Sequence, residues 1–397
     1  MKILISAASF SSRISGLQRH AINVVRCVLQ LQEISAVHVV VAPWQSALVK
    51  DAGFGPDPRL TVHIGEMERS SLSRNLWYYR ELPKLAARVQ ADVVHLTYPM
   101  PVDGAAFACP TVVTLHDLYP YEIPQNFGFP KVIFNRVVLQ QCLRNVDAIA
   151  CVSEITDVLL RRYAPAATGR KATRIYNCVE AEPLCAIESP IPGWQGEPFL
   201  LCVAQHRRNK NIPLLLRTFA RLLQRRDIDS KMKLLVIGIA GPESRGIYRL
   251  VSDLHLDERV HFLEGLPEPE LQWCYGRCEA LVTPSITEGF GLPVAEALMA
   301  GCRVVCSDIP AFREVGGDCC RFVPLGGDEE GMLADAIVAA LQQPTKAPIS
   351  LPQFSSSLLA NQYLGLYRGL LATAVLPDSA RFSTSLHAAA ATERQSL

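Results

Sequence analysis

The sequence predicts an α/β protein with two doubly wound domains, each built around a parallel sheet. Short apolar runs alternate with helix-like segments along nearly the whole chain, as expected for strands that are buried on both faces of a parallel sheet. The chain has 397 residues, which is long for a single hydrophobic core. A stretch rich in Pro, Ala, Gly and small polar residues, 164–198, interrupts the alternation and is typical of a domain boundary.

The first half of the chain is predicted to form one domain, residues 1–180, followed by a linker at 181–197. Its apolar runs predict strands at residues 2–7, 37–41, 91–96, 111–115, 148–152 and 173–176. Apolar residues at helical spacing between these runs predict helices at 17–32, 72–89, 130–145 and 154–163.

The second half repeats the alternation and is predicted to form the other domain, residues 198–350. Strands are predicted at 199–203, 233–238, 260–263, 280–284, 303–307 and 321–324. Helices are predicted at 212–225, 246–254, 268–276, 293–300 and 331–342. After a second Pro-rich break, a last helix is predicted at 355–372, and the small, polar residues of the tail 375–397 predict disorder.

Composition narrows the class of function. The net charge of +1 provides no overall field that would attract nucleic acid. The 13 cysteines are an odd number without a C-x-x-C pair, so we expect neither a disulfide framework nor a metal site, and we expect a reducing cytosol. The sequence has no run of about 18 uninterrupted apolar residues and no signal-peptide pattern at its start, so we expect no membrane span.

The most informative segment, residues 287–301, reads T-E-G-F-G-L-P-V-A-E-A-L-M-A-G. A glycine-rich turn leads there from a predicted strand into a helix, and Pro293 suits the first helical position. Free backbone N–H groups and the helix dipole at such a start attract anions. Glu288 on the turn and Glu296 about one helical turn further can accept hydrogen bonds from hydroxyls. The segment predicts a site for a phosphorylated, polyhydroxylated ligand; the alternative is that both carboxylates only complement the dipole.

Two further features support a ligand site at this turn. Gly289 and Gly291 favour a close approach of the backbone to the ligand. Ligands of doubly wound sheets bind at the carboxyl ends of the strands, so the cleft between two such sheets is the expected active site.

Several motifs follow one another along the chain in the same order as in a known enzyme family. The chain resembles retaining glycosyltransferases of the group 1 or family 4 type, up to about residue 371, and Glu288 and Glu296 match their E-x7-E signature. Supporting motifs are T-L-H-D-L-Y-P at 114–120, D-A-I-A-C-V-S at 147–153, R-I-Y-N-C-V-E at 174–180, V-A-Q-H-R-R-N-K-N-I at 203–212 and R-V-H-F-L-E-G at 259–265. The resemblance implies the GT-B fold, in which two Rossmann-like domains face each other across a cleft and the C-terminal helix returns to the first domain. The first domain then binds the acceptor and the second the nucleotide sugar.

The resemblance also implies an activity. A hexosyl unit is transferred from a nucleotide diphosphate sugar to a saccharide or lipid-linked saccharide acceptor in cell-envelope polysaccharide synthesis, with retained anomeric configuration and without a metal or other cofactor. The H-D-L-x-P context favours mannose, and therefore GDP-mannose as donor. We expect a cytoplasmic protein at the inner face of the cell membrane. The helical region 136–162 with Trp77, Tyr78 and Tyr79 is a candidate membrane-facing surface, and an ordinary solvated surface is the alternative.

Roles for single residues follow from the resemblance. Glu296 resembles the carboxylate that binds the ribose hydroxyls, and Glu288 the one that faces the donor sugar. Lys210 resembles the pyrophosphate lysine, and His116 the histidine that faces the acceptor and donor sugar. The implied catalytic residues are His116, Lys210 and Glu288, and the implied donor-binding residues are Gly16, Arg208, Asn209, Lys210, Glu288, Gly289, Phe290, Gly291, Leu292 and Glu296.

Two of the chain's departures from the family pattern concern residues expected near the phosphates. Asn209 stands where the family has an arginine beside the phosphate lysine, with Arg207 and Arg208 displaced along the chain. The first loop has one glycine where the family has two or three, and Arg13 or Arg19 can compensate for the lost backbone contact.

Alternatives remain at the level of residues and of the whole protein. His116 can instead cap a buried strand, Lys210 can be a solvated charge, and Asp117 and Asn177 can serve only as Asx-turn residues. The competing functions are a nucleotide-sugar 2-epimerase or phosphorylase of the same fold and a non-catalytic subunit that binds sugar nucleotides. We find no carboxylate suited to act as nucleophile, so a front-face substitution is the expected mechanism.

Overall fold

The computed structural model describes residues 1–11, 15–46, 54, 56–164, 171–180, 188–344 and 347–374. Within these residues the chain forms two α/β domains, each around a parallel sheet. This architecture confirms the predicted fold class. Arg13, residues 181–187 of the predicted linker and the predicted tail lie outside the described residues, whereas 188–197 contain neither helix nor strand.

The first sheet has seven strands, all paired in parallel. They are β1 (Lys2–Ser6), β2 (Ala36–Val41), β3 (Leu60–Ile64), β4 (Val93–Leu96), β5 (Thr111–Leu115), β6 (Ala148–Cys151) and β7 (Ala172–Arg174). Their order is β3-β2-β1-β4-β5-β6-β7. The winding direction changes between β1 and β4, and a crevice therefore opens at the carboxyl ends of these two strands.

The second sheet has six parallel strands. They are β8 (Phe199–Val203), β9 (Lys233–Ile237), β10 (Val260–Leu263), β11 (Ala280–Thr283), β12 (Val304–Ser307) and β13 (Arg321–Val323). Their order is β10-β9-β8-β11-β12-β13, which puts the change of direction between β8 and β11. The loops that follow these two strands carry Lys210 and Glu288.

Helices cover both faces of each sheet. Those of the first domain are α1 (Gly16–Leu29), α2 (Ser71–Arg88), α3 (Tyr119–Glu122), α4 (Lys131–Asn145) and α5 (Glu154–Tyr163). Those that follow are α6 (Ile212–Arg225), α7 (Ser244–Asp253), α8 (Glu268–Arg277), α9 (Leu292–Met299), α10 (Pro310–Gly316), α11 (Glu329–Leu341) and α12 (Ser356–Ala374).

Three short elements were not predicted from the sequence. β3 pairs only with β2, and its apolar residues Leu60, Val62 and Ile64 alternate with polar ones, so it has no continuous apolar run. α3 and α10 have 4 and 7 residues, too few for a helical period to be visible. In addition, Pro293 occupies the second position of α9 and not the first as predicted. Both positions belong to the first turn, where a missing N–H removes no intrahelical hydrogen bond.

Alternate residues of the central strands pack on opposite faces of the sheets. Leu4 joins one core of the first domain, and its neighbours Ile3 and Ile5 join the other. Leu359, Tyr363 and Tyr367 of the C-terminal helix, together with residues of α1, belong to the second of these cores. α12 therefore leaves the second domain and covers the first, as the GT-B resemblance implies.

The two domains touch closely beside the cleft. Ser153 Oγ donates a hydrogen bond to the carbonyl oxygen of Gly289, 2.5 Å away. The backbone N–H of Glu154 donates to the Glu314 carboxylate at 2.8 Å. A Cβ atom on Gly289 would lie 1.7 Å from the carbonyl oxygen of His116, so only glycine allows this approach. The carboxyl end of β5 therefore contacts the turn that leads into α9.

No helix in the described ranges is both long and apolar enough to cross a membrane. Trp77 and Tyr78, two of the three aromatic residues of the predicted membrane-facing surface, are buried in the core of the first domain. Their assignment to that surface was wrong because the helical period places them on the inner face of α2, while Tyr79 is exposed.

Candidate active site

The turn before α9 presents free backbone donors to the cleft. Gly291 has a φ of 112°, which glycine adopts without strain, and it directly precedes the first helical residue, Leu292. No side chain caps the helix. Within the described chain, no acceptor is bonded to the backbone N–H groups of residues 289–292. These donors and the positive end of the helix dipole can hold an anion.

Glu288 and Lys210, which were predicted from different motifs, form an ion pair. Lys210 Nζ lies 2.6 Å and 2.7 Å from the two carboxylate oxygens of Glu288, which is only 8% exposed. Tyr119, on α3 of the first domain, donates a hydrogen bond to Glu288 Oε2 at 3.0 Å. Burial, followed by the charge of Glu288, raises the pKa of Tyr119 well above its ordinary value, so its hydroxyl remains a donor.

Glu296 is also held from both domains. Tyr275 of α8 donates a hydrogen bond to its Oε2 at 2.7 Å. Arg19 of α1 reaches across the cleft and lies 2.9 Å from its Oε1. The same guanidinium lies 2.6 Å from Glu268 Oε2. The carboxylate predicted to bind ribose is thus oriented by one side chain of its own domain and by one from the facing domain.

His116 lies at the carboxyl end of β5, beside the contact with Gly289. Its Nε2 is 2.8 Å from the carbonyl oxygen of Thr97. Burial lowers the pKa of His116 to about 4, so the ring is neutral at neutral pH. Because a carbonyl oxygen only accepts, Nε2 carries the proton and Nδ1 is left as an acceptor. Nδ1 makes no hydrogen bond within the described part of the chain and can accept one from a ligand hydroxyl.

A buried polar network lies behind His116. The ring of His20 packs edge-on against it with 4.5 Å between centroids. His20 bonds to Asn177 Oδ1 at 2.8 Å and to Thr114 Oγ1 at 3.1 Å, and Thr114 also bonds to His95. The alternative that Asn177 serves only in an Asx turn is wrong, because its side-chain oxygen bonds to the His20 ring. The sequence offered no spacing from which this network could be inferred.

The loop after β8 gives its predicted residues different environments. Asn209 is fully buried; its amide nitrogen lies 3.3 Å from the carbonyl oxygen of Thr287, and its Oδ1 accepts from Asn126 at 3.0 Å. It therefore joins the loop to the Glu288 turn and to the first domain instead of pointing into the cleft. Arg208 is exposed, and Arg207 bonds to Gln205.

Two of the three glycines predicted to bind the donor, Gly289 and Gly16, lie in different environments. Gly289 approaches the His116 carbonyl, as described above, so its lack of a side chain is explained by the domain contact. Gly16 begins α1, and a Cβ there would lie 3.9 Å from Leu292 Cδ1. The N-termini of α1 and α9 thus face each other across the cleft. The Phe290 side chain packs away from it, against Tyr176 and Phe354, which leaves its backbone as the predicted contact.

Asp117, next to His116, is half-buried, and desolvation raises the pKa of its carboxyl to about 6. Its Oδ1 accepts a hydrogen bond from the backbone N–H of Tyr119 at 3.0 Å, so it forms the Asx turn considered from the sequence. This turn begins α3 and thereby positions the Tyr119 hydroxyl at Glu288.

Both halves of the chain match known families. Residues 14–183 match the family described as Glycosyltransferase Family 4, and residues 187–346 match Glycosyl transferases group 1. The O-antigen chain mannosyltransferase RfbU of Salmonella typhimurium is 24% identical over 309 residues, which are 76% of this chain and 80% of that protein. The O-antigen chain mannosyltransferase B of Escherichia coli is 24% identical over 339 residues, or 80% of this chain and 85% of that protein.

Solved structures share the architecture. HepE of Anabaena, crystallised with UDP and glucose, superposes with a TM-score of 0.60 at 15% identity, covering 98% of this chain and 100% of that one. Sucrose-phosphate synthase of Thermosynechococcus elongatus superposes with a TM-score of 0.66 at 18% identity, covering 94% and 99%. At these identities the likeness establishes the fold alone. With two facing doubly wound sheets, the E-x7-E turn between them and family matches in both halves, this chain belongs to the group 1/family 4 glycosyltransferases of the GT-B fold.

Proposed function

We propose that this glycosyltransferase is a retaining hexosyltransferase that uses a nucleotide diphosphate sugar. The observation that carries the proposal is the arrangement around α9. Free N–H groups of residues 289–292 lie between two carboxylates, Glu288 and Glu296, each of which is paired with a cation. Such a set offers acceptors for the hydroxyls of both sugars and donors for the diphosphate between them.

The departing diphosphate is the group that most needs stabilisation. When the bond from the anomeric carbon to the diphosphate breaks, negative charge accumulates on the diphosphate oxygens, and fixed donors directed there lower the barrier. The helix N–H groups and Lys210 are suited to this task, since Lys210 already lies against the turn. These donors replace a metal ion in the proposed reaction, so turnover is expected to persist in the presence of a chelator.

Retention is proposed to occur by front-face substitution. A double-displacement mechanism requires a free carboxylate nucleophile close to the anomeric carbon. Glu288 is poorly suited to that role because Lys210 contacts both of its oxygens and Tyr119 contacts one. In the proposed step, the acceptor hydroxyl forms the new bond on the face that the diphosphate leaves, and a diphosphate oxygen takes the hydroxyl proton. Atoms and charge then balance without a protein base.

We infer that His116 and Glu288 orient the donor sugar. The Nδ1 atom of His116 accepts from a hydroxyl, and the Glu288 carboxylate does the same from the second domain. The relatives named as O-antigen chain mannosyltransferases support mannose as the transferred sugar and a role in cell-envelope polysaccharide synthesis. We propose GDP-mannose as the donor, in keeping with the H-D-L-x-P context at residues 116–120.

We propose that α4 contacts the inner face of the cell membrane, where a lipid-linked acceptor would be presented. Four large apolar side chains are exposed on α4 and just before it: Phe129, Ile133, Phe134 and Val137. Phe129, two residues before the helix, is 83% exposed. Residues 123–146 contain Lys131, Arg136 and Arg144 and no acidic residue. Apolar side chains with flanking cations favour an anionic bilayer surface. Arg136 also donates to the Pro120 carbonyl in α3, next to Tyr119, so this surface adjoins the cleft.

The activity is tested with purified protein, a panel of nucleotide sugars that includes GDP-mannose, and lipid-linked saccharide acceptors. We expect nucleoside diphosphate to be released only when an acceptor is present, with an α-linked product from an α-linked donor in the proton NMR spectrum. An inverted product would contradict retention. A 2-epimer formed without acceptor would indicate an epimerase, and binding without turnover would indicate a non-catalytic subunit.

Membrane contact is tested by sedimentation with vesicles of phosphatidylglycerol and phosphatidylcholine. We expect binding to vesicles that contain phosphatidylglycerol, and reduced binding for the double variant Phe129→Ser/Phe134→Ser. Leu358→Ser removes an exposed apolar residue of α12 and serves as the control. Equal binding of all three proteins would contradict the role of α4, and a self-association that the double variant abolishes would show that a second copy covers this face.

A further inference from the structure

Arg19 is the side chain of α1 that joins the two domains across the cleft. Its guanidinium lies 2.9 Å from Glu296 and 2.6 Å from Glu268, and both partners belong to the second domain. The Arg19 side chain is 21% exposed and that of Glu296 is 11% exposed. This pair therefore occupies the position at which a nucleotide must meet Glu296.

The helix that carries Arg19 does not favour a cation there. Arg19 is the fourth residue of α1, and the first turn contains no acidic residue. The positive end of the helix dipole disfavours a positive charge in this turn. The guanidinium is held by the two carboxylates of the other domain, and a ligand that competes for one of them can displace it.

The two possible partners of Arg19 lie within its reach. Gly16, at the start of α1, faces Leu292, at the start of α9. Arg19 is three residues along α1, which is a rise of about 4.5 Å, and Glu296 is four residues along α9. Rotation of the Arg19 side chain toward the start of α1 would therefore direct its guanidinium away from Glu296 and toward the free N–H groups of residues 289–292, where the diphosphate is expected.

The second domain lacks a free cation at the position where the family has its phosphate arginine. Asn209 occupies that position and is fully buried, with its amide bonded within the protein. Lys210 is paired with Glu288. A diphosphate diester carries two negative charges. Lys210 supplies one positive charge beside the backbone dipoles, so a second cation is needed to neutralise the other negative charge.

We propose that Arg19 is a latch that exchanges partners when the donor binds. Without donor, it pairs with Glu296 and holds the domains together. When the donor enters, the ribose hydroxyls take over Glu296, and the guanidinium turns to the diphosphate as its second cation. The inference rests on the proposed function, because it assigns the ribose to Glu296 and the diphosphate to the start of α9.

The exchange predicts opposite effects of Arg19→Gln on two kinds of ligand. A nucleoside has ribose hydroxyls but no phosphate, so the variant, in which Glu296 is free, should bind it at least as tightly as the wild type does. A nucleoside diphosphate loses a charge-assisted contact, so its affinity should fall about 10- to 100-fold. Arg19→Lys keeps the charge and should recover part of the diphosphate affinity. A residue with only a structural role would change both affinities in parallel.

Equilibrium binding is measured for guanosine and GDP, with uridine and UDP in parallel. Arg174→Gln is the matched control, since Arg174 also lies within 4.0 Å of a second-domain carboxylate, Glu314, but outside the cleft. We expect it to bind all four ligands as the wild type does. Thermal unfolding checks that each variant is folded.

The outcomes separate this inference from the proposed function. If the wild type binds neither nucleoside diphosphate, the proposed function fails. If the wild type binds one, but Arg19→Gln weakens nucleoside and diphosphate equally or leaves diphosphate affinity unchanged, the latch is refuted while the proposed function stands.

Discussion

Replacement of Lys210 by alanine tests the central electrostatic role in the cleft. Lys210 Nζ lies within 2.7 Å of both oxygens of Glu288, and neither side chain is more than 18% exposed. The change therefore removes a donor expected at the diphosphate and also leaves a buried carboxylate without its cation. The two consequences appear in different measurements.

Both magnitudes follow from the geometry. A fixed donor that meets a developing anion in a shielded site contributes about 2.7–4 kcal/mol to the barrier, so kcat should fall about 10²- to 10³-fold. Removal of one partner of a buried ion pair costs about 3–5 kcal/mol of folding stability. Tyr119 keeps its hydrogen bond to Glu288 and the carboxylate is 8% exposed, so we expect the lower end of this range.

A double variant separates the two effects. In Lys210→Ala/Glu288→Gln the uncompensated charge is absent, so the free energy of unfolding measured with urea should recover most of its loss. Because the donor to the diphosphate is still missing, kcat should remain low. Turnover is measured as nucleoside diphosphate release with saturating acceptor. A Lys210→Ala protein with near wild-type kcat, or a double variant that recovers turnover together with stability, would refute the assignment of Lys210 to the leaving group.

Three further predictions concern the rest of the site. Glu296→Gln should raise the KM for donor and the dissociation constant of the nucleoside diphosphate about 10-fold or more, with a smaller change in kcat, because the ribose contact is present in both ground and transition states; an unchanged dissociation constant by calorimetry would contradict the ribose role. Gly289→Ala should separate the domains at this contact, since its Cβ would lie 1.7 Å from the His116 carbonyl, and we expect a larger radius of gyration in X-ray scattering and a lower kcat, whereas wild-type values of both would show that the contact is dispensable. Burial lowers the pKa of His116 to about 4 and that of His95 to about 3, so folded protein holds both rings neutral. Their contribution to stability is complete above the ordinary histidine pKa of about 6.5 and is lost as the pH falls from there toward 4. Asp117, with a pKa raised to about 6, has the opposite effect, because its protonation in the folded protein adds stability as the pH falls. The unfolding temperature is therefore measured from pH 8 to 4.5 in the variant Asp117→Asn, which removes this effect. An unfolding temperature that stays constant below pH 6.5 would contradict the burial of neutral histidines.

The fold class was predictable because it depends on local pattern. Strands such as β8 and β11 are buried on both faces and therefore read as continuous apolar runs, and two such series with a break between them indicate two sheets. β3 escaped prediction because its apolar residues alternate with polar ones, so that this edge strand with one neighbour lacks the continuous apolar run of the buried strands. Trp77 and Tyr78 were wrongly assigned to the surface because the sequence alone did not show which face of α2 packs against the core.

The site was predictable in part. Glu288, the glycines and Glu296 lie on one continuous turn and helix, so their proximity follows from the geometry of the chain itself. The partners of those residues do not follow from it. Tyr119 is 169 residues from Glu288, and Arg19 is 277 residues from Glu296.

The sequence by itself determined the two parallel-sheet domains, the family and the segment where an anion can bind, since each depends on the order of residue types over short stretches. The tertiary structure alone decided which charged side chains form ion pairs, namely Lys210 with Glu288 and Arg19 with Glu296. It also decided that His116, at the domain contact, is neutral. The physical reason is that ion pairing and desolvation depend on distances of a few ångströms between domains, and these distances are set by the packing of whole helices and sheets.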